Sequence, residues 1–243
     1  MEEQHFWFRA RNRWIERALD CYGLQPPARF LEVGCGSGAV AGALQRRGYS
    51  VVGVDTATIL IRKAHERFPA IDFVAGRIDQ LSPSLGPFGG VGFFDVLEHL
   101  DDPISLLRAA LVHAAPGALV IATVPALRSL FSVVDELAGH KRRYELGELT
   151  AMFAELGMVG IHEHGIFRTL LPLLRARRHM GTAPTDPAER RRIMLKDFQI
   201  PPYPINSLFR LVCALEARYG FGRSRGRAAP TLLAVGRTPG SRE

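Results

Sequence analysis

Residues 30–40 read FLEVGCGSGAV, an apolar run that passes through Glu32 and Val33 into a turn carrying Gly34, Gly36 and Gly38. Glycine accepts left-handed backbone and, lacking a Cβ, lets another molecule approach the chain closely. A strand-like run, a glycine turn and then a helical pattern open an α/β unit, and a ligand is expected at the turn. Asp55 closes the next apolar run, SVVGVD at 50–55, and lies 17 positions beyond Gly38. A carboxylate placed there accepts both hydroxyls of a ribose. The dinucleotide fingerprint G-x-G-x-x-G needs its third glycine one place later than Gly38. At this point a dehydrogenase and another nucleoside binder both remain open.

Working outward, residues 5–22 carry Phe6, Trp7, Ile15, Ala18, Leu19 and Tyr22 among charges, the pattern of an amphipathic helix ended by Pro26 and Pro27. Strands are predicted at 29–34, 50–55, 71–76, 89–97, 118–124, 158–165 and 231–237. Helices are predicted from the glycine turn to about Arg47 and over 57–68, 103–115 and 145–157. This alternation, with strands that are apolar nearly throughout, predicts an α/β fold: a Rossmann-like, mostly parallel seven-stranded sheet with helices on both faces. About 65 residues separate the last two strands and hold proline-broken apolar segments. They read as a helical insertion, since so long a structureless loop is uncommon. The expected organisation is an N-terminal lid helix at 1–27, a core at 28–165 and 228–243, and an insertion at 166–227 that caps a substrate pocket.

The 243 residues suit one elaborated α/β domain. Cys21, Cys35 and Cys213 are scattered and odd in number, so neither a disulfide framework nor a zinc site is indicated. The N-terminal MEEQHFWFRARNRW lacks the pattern of a signal peptide, and a reducing cytoplasm is expected. The net charge of +7 is carried by arginine, with Lys63, Lys141 and Lys196 the only lysines. Arginine clusters at 175–178, 190–192 and 223–227 come without any nucleic-acid-binding module, so no nucleic-acid partner is expected. Leu170, Leu171, Leu173 and Leu174 beside Arg175–Arg178 suggest peripheral contact with an anionic membrane.

Several motifs in order resemble the class I S-adenosylmethionine (SAM)-dependent methyltransferases, in particular small-molecule, ubiquinone-type members. LEVGCGSG looks like their first motif and VVGVD like the acidic second, while residues 95–125 look like their fourth and fifth strands with the joining helix. The resemblance covers about residues 28–165 and the final strand, and implies an antiparallel pair of strands at one sheet edge. It implies SAM as cofactor, with Glu32, Gly34, Cys35, Gly36 and Gly38 at its amino-acid end and Asp55 with Thr56 at the ribose. Phe93 and Phe94 would line the methionine side, or else pack in the core. Arg77 stands where many relatives have an adenine-binding Asp, which leaves Asp79 or a backbone amide for that task.

The resemblance further implies methyl transfer to a small molecule, apolar with an anionic group, and favours O-methylation. His99, His140 and Tyr144 are the candidate proton-transfer residues. Arg143 and Arg142, in a His-x-Arg-Arg-Tyr element, are the candidate grip on the acceptor. Trp7 and Arg11 would close over the cofactor. Glu98, His99, Asp101 and Asp102 either hold a metal or tie down the helix that follows; no metal ligand is assigned.

Overall fold

The computed structural model describes residues 5–178, 186, 188–190, 192–193 and 199–240. Residues 1–4 of the expected lid segment, and His179, Arg191 and several others of the expected insertion, lie outside the described residues. Seven strands form one sheet: β1 (Arg29–Val33), β2 (Ser50–Asp55), β3 (Asp72–Ala75), β4 (Phe88–Phe94), β5 (Ala114–Pro125), β6 (Val159–Ile166) and β7 (Thr231–Arg237). Their order is β3-β2-β1-β4-β5-β7-β6. The β1, β2, β3, β4 and β5 pairings are parallel, and β7 runs antiparallel to both β5 and β6. The strand order reverses between β1 and β4, and ligands bind beyond the carboxyl ends of strands at such a reversal.

One face of the sheet carries α1 (Phe6–Cys21), α2 (Ala39–Arg46) and α3 (Thr58–Arg67), while α4 (Pro103–Leu111) and α6 (Glu148–Glu155) cover the other. Between β5 and α6 lies the short helix α5 (Val133–Leu137). The period of two along each strand sorts the core. Leu31 and Val33 of β1 face α4 and α6, whereas Phe30 faces α1 and α2.

The insertion contains α7 (Leu171–Arg178) and a 22-residue helix, α8 (Tyr203–Ser224). Cys213, Ala217 and Phe221 of α8 are buried in the cluster that holds α1, and Trp14 of α1 packs on Phe221 with ring centroids 5.6 Å apart. One face of α8 is therefore a layer of the core, and among the described residues the pocket takes from the insertion Leu170, Leu173, Leu174, residues 199–202 and Phe209. Of the leucines expected at a membrane, Leu170 is buried and Leu174 packs on the core.

Several boundaries differ from the expectation, those of β4 and β5 among them. β4 stops at Phe94, because Asp95 takes a left-handed backbone (φ 56°) and residues 97–99 form a single 3-10 turn. β5 starts earlier, at Ala114, which pairs with Phe88 across a register shift.

Candidate active site

The carboxyl ends of β1, β4 and β5 open into a cavity of about 940 Å³, with the start of α1 on one side and α7 and residues 199–202 on another. At its base the chain leaves β1 through the glycine turn, and the N–H groups of both Gly34 and Cys35 donate to the Val54 carbonyl. Asp55 ties the turn down, accepting from Gly36 N at 2.8 Å and from Ala57 N at 2.8 Å. Glu32, Gly34, Cys35 and Gly36 line the cavity, and Gly38 starts α2 as its N-cap. Burial, aided by the charges of Glu32 and Asp55, pushes the Cys35 thiol well above its ordinary range, so it is a small apolar wall and not a nucleophile.

The start of α1 crosses the opening. Trp7 stacks on Phe167 with centroids 4.0 Å apart and lines the cavity. Arg11, buried, pairs with Asp95, whose other oxygen accepts from Thr123 Oγ1 at 3.1 Å. The non-glycine positive φ of Asp95 is a strained conformation of the kind that collects at ligand sites. Asp95 thus fastens α1 across the pocket.

The opposite wall is a polar cluster. His140 Nδ1 lies 2.9 Å from Asp135 Oδ1, and the carboxylate makes that nitrogen the donor. Asp135 is buried and also accepts from Ser132 N and Arg143 Nε, both within 2.9 Å. Burial alone would raise the Asp135 carboxyl, but the His140 hydrogen bond and the Arg143 guanidinium outweigh it and hold it below the usual range. His140 Nε2 is left facing Glu98 Oε1 at 3.9 Å. Glu98 is fully buried, and neither carboxyl oxygen has a hydrogen-bond partner among the described residues. Burial first, and the charge of Asp95 second, raise its carboxyl well above the ordinary value and favour the neutral acid. His99 donates through Nδ1 to the Gly139 carbonyl at 3.1 Å, which leaves Nε2 as an acceptor. Burial lowers its pKa, further lowered by His140 against the opposing Gly139 bond, so His99 favours the neutral ring.

The structure brings together Trp7, Arg11, Glu32, Gly34, Cys35, Gly36, Phe94, His99, His140 and Arg143 of the expected residues. Others lie elsewhere. Phe93 points to the far face of the sheet, since adjacent strand residues alternate sides. Tyr144 is a core residue whose hydroxyl donates to the Leu97 carbonyl at 3.0 Å, and burial raises its pKa sharply; it is not placed to move a proton in the pocket. Arg142 bonds the Asp101 carbonyl, away from the cavity. Thr56 is exposed and absent from the cavity wall, and Asp79 sits at the surface in a two-bond pair with Arg77. Arg143 spends Nε on Asp135 and Nη1 on the Ala126 carbonyl, leaving Nη2 for an acceptor. The four-residue metal reading is also rearranged. Asp101 pairs with Lys141 and Asp102 caps α4 through Ser105. Glu98, His99 and His140 instead bring ligand atoms within 4.8 Å of one another.

Asp95, the full burial of the Glu98 carboxyl and the hydrogen bond between Asp135 and His140 are what the sequence did not reveal. Asp95 was hidden because the strand was read on to Leu97; ending β4 at Phe94 would have put Asp95 at its carboxyl tip.

Residues 3–178 match the family model described as a methyltransferase domain. The chain belongs to that family. Membership decides between the two nucleoside readings in favour of a methyltransferase domain over a dehydrogenase. Among curated relatives, the ubiquinone biosynthesis O-methyltransferase of Xanthomonas campestris pv. campestris is 33% identical over 97 residues, 38% of this chain and 41% of that protein. The enzyme of the same name from Chromobacterium violaceum is 31% identical over 160 residues, 63% of each. The chain thus aligns with only part of these relatives' length. A SAM-dependent methyltransferase from Archaeoglobus fulgidus has the same fold, with a TM-score of 0.57 at 16% identity over 93% of this chain and 94% of that one.

The pocket fits the cofactor the family uses. A Cβ on Gly36 would meet nothing within 4 Å, so open space lies against the backbone where the amino-acid end of SAM needs to approach. Buried Glu32 and the apolar Phe94 and Trp7 border the same cavity.

Proposed function

We propose that this methyltransferase methylates a hydroxyl of an apolar small molecule bearing an anionic group. The observation that carries the reading is one cavity with the glycine turn at its base, apolar walls of Leu173, Leu174 and Phe209, and the Asp135–His140 pair opposite. When bound, SAM would supply a methyl carried on a positively charged sulfur, a good neutral leaving group for in-line displacement. The residues then have three tasks. Glu32 and the turn from Gly34 to Gly38 hold the cofactor, with Asp55 bracing the turn and keeping spare acceptor capacity for ribose hydroxyls. Trp7 and the Arg11–Asp95 tie exclude water. His140 takes the acceptor's proton at Nε2, and Asp135 fixes the tautomer and stabilises the imidazolium that forms. Arg143 Nη2 and the apolar wall orient the acceptor.

The test is a screen of acidic lipophilic phenols and alcohols followed by His140→Ala and Asp135→Asn. A general base contributes about 10²–10⁴-fold, so kcat for the best acceptor should fall by about that factor in His140→Ala. S-adenosylhomocysteine affinity should be unchanged in both variants. Wild-type kcat in His140→Ala sinks the base assignment; no turnover with any acceptor despite tight cofactor binding favours a non-catalytic module.

A second reading draws on the Glu98, His99 and His140 cluster, which can hold a divalent cation that polarises the acceptor oxygen. Full activity after exhaustive chelation rejects it.

A further inference from the structure

Helix α8 is apolar on two opposite sides. Its buried side packs on α1 and the sheet. On the opposite side Leu208, Leu211, Leu215 and Tyr219 are 47–66% exposed. Steps of three and four residues align them along the helix, a stripe about 16 Å long at 1.5 Å per residue. Ile205, 46% exposed, extends it toward the helix start. A soluble helix ordinarily gives that side to charges.

Beside the stripe runs a groove of about 690 Å³ between α1 and α8, bordered by Arg13, Arg17, Arg47 and Arg218 with Glu16 and Asp20. Asp20 is taken by Arg47 at 2.7 Å. Arg13 and Arg17 are exposed, and Arg218 lies over the Tyr219 ring at 5.4 Å. Burial raises the Glu16 carboxyl, and four arginines border the groove against two carboxylates. A row of apolar side chains flanked by a surplus of arginine is the arrangement that lies in the headgroup layer of an anionic bilayer.

We propose that the outer face of α8, with the arginine groove along its side, docks on an anionic lipid membrane. The inference does not depend on which acceptor is methylated. A nucleic acid would match the arginines but has no use for the leucine stripe. A second copy would match the leucines but would bring two chains of net charge +7 together beside their arginine grooves. No helix among the described residues is long and apolar enough to cross a membrane, so the contact is peripheral. Phe209, near the start of α8, also lines the active-site cavity, so docking sets that cavity beside the lipid.

The test is sedimentation with phosphatidylcholine vesicles, with and without phosphatidylglycerol. The full chain should sediment with the anionic vesicles only and be released by added salt. Leu211→Asp with Leu215→Asp should abolish binding. Arg13→Ala with Arg17→Ala should weaken it about 30-fold, the worth of two cations near an anionic leaflet. All four side chains are exposed, so both double variants should keep the wild-type melting temperature and S-adenosylhomocysteine affinity. If the aspartates impair folding, the arginine pair still decides. No binding to anionic vesicles overturns the proposal. So does binding that neither pair alters, or self-association in sedimentation velocity that the leucine pair abolishes.

Discussion

Gly34 and Gly36 sit two residues apart in the same turn, yet alanine should affect them through different physics. Both have left-handed backbone, with φ of 76° and 53°. An alanine forced into that region costs about 1–2 kcal/mol, and its stiffer unfolded chain returns about 0.4–1 kcal/mol. Gly36→Ala should therefore lose only about 1 kcal/mol of stability, because its new methyl meets nothing within 4 Å. Gly34→Ala adds a collision, since its Cβ would lie 2.4 Å from Val96 Cγ2. Overpacking of that kind costs a further ~1–3 kcal/mol. Urea unfolding should thus rank Gly34→Ala clearly below Gly36→Ala, at unchanged m. Binding should discriminate in the other direction per unit of stability lost. The Gly36→Ala methyl occupies the space argued to receive the cofactor, so calorimetry should find S-adenosylhomocysteine affinity down by about tenfold or more, ~1.4 kcal/mol. Wild-type affinity in Gly36→Ala would refute the placement of the cofactor against this turn.

Three further outcomes are expected. His164 is buried between Tyr22 and Ser224, and burial, with His162 second, pushes its pKa down to about 4. Its unfolded pKa is ~6.5, so the unfolded chain binds the proton first: the contribution is full above that pH and is lost as pH falls toward 4, by about 3 kcal/mol at ~1.4 kcal/mol per unit. Urea midpoints from pH 7 to 5 should drop less steeply in His164→Gln, and identical slopes would contradict this. Tyr144→Phe should cost about 1–3 kcal/mol by orphaning the Leu97 carbonyl, with kcat within about twofold of wild type at saturating acceptor if the Asp135–His140 pair carries the proton transfer; a large kcat loss would return Tyr144 to the chemistry. Arg11→Ala should expose the start of α1 to faster amide exchange and weaken S-adenosylhomocysteine binding, while unchanged exchange would show that the Asp95 tie does not hold the lid.

Much of the fold was legible because its signals are local. Apolar runs of strand length, the glycine turn and Asp55 each declare themselves within a few residues, and their alternation constrains how the strands can be arranged. Phe93 and Phe94 mark the limit of that reading. Both are apolar and adjacent, but strand alternation sends one to the pocket side and the other away, and nothing in the local text says which. The pair Arg77–Asp79 shows the same limit for charge, since a residue predicted to read a ligand is instead held by its neighbour two positions back.

The sequence by itself determined the α/β class, which depends on spacing along the chain, and its ordered motifs carried the resemblance to the family. Only the tertiary structure joined Arg11 to Asp95, 84 positions apart, and set Glu98 against His140 from two different loops. It also decided that Tyr144 supports the core and that α8 turns a leucine stripe outward. The reason is physical. Burial, pKa and which face of a helix meets water are set by what packs against a residue, and those neighbours come from distant parts of the chain.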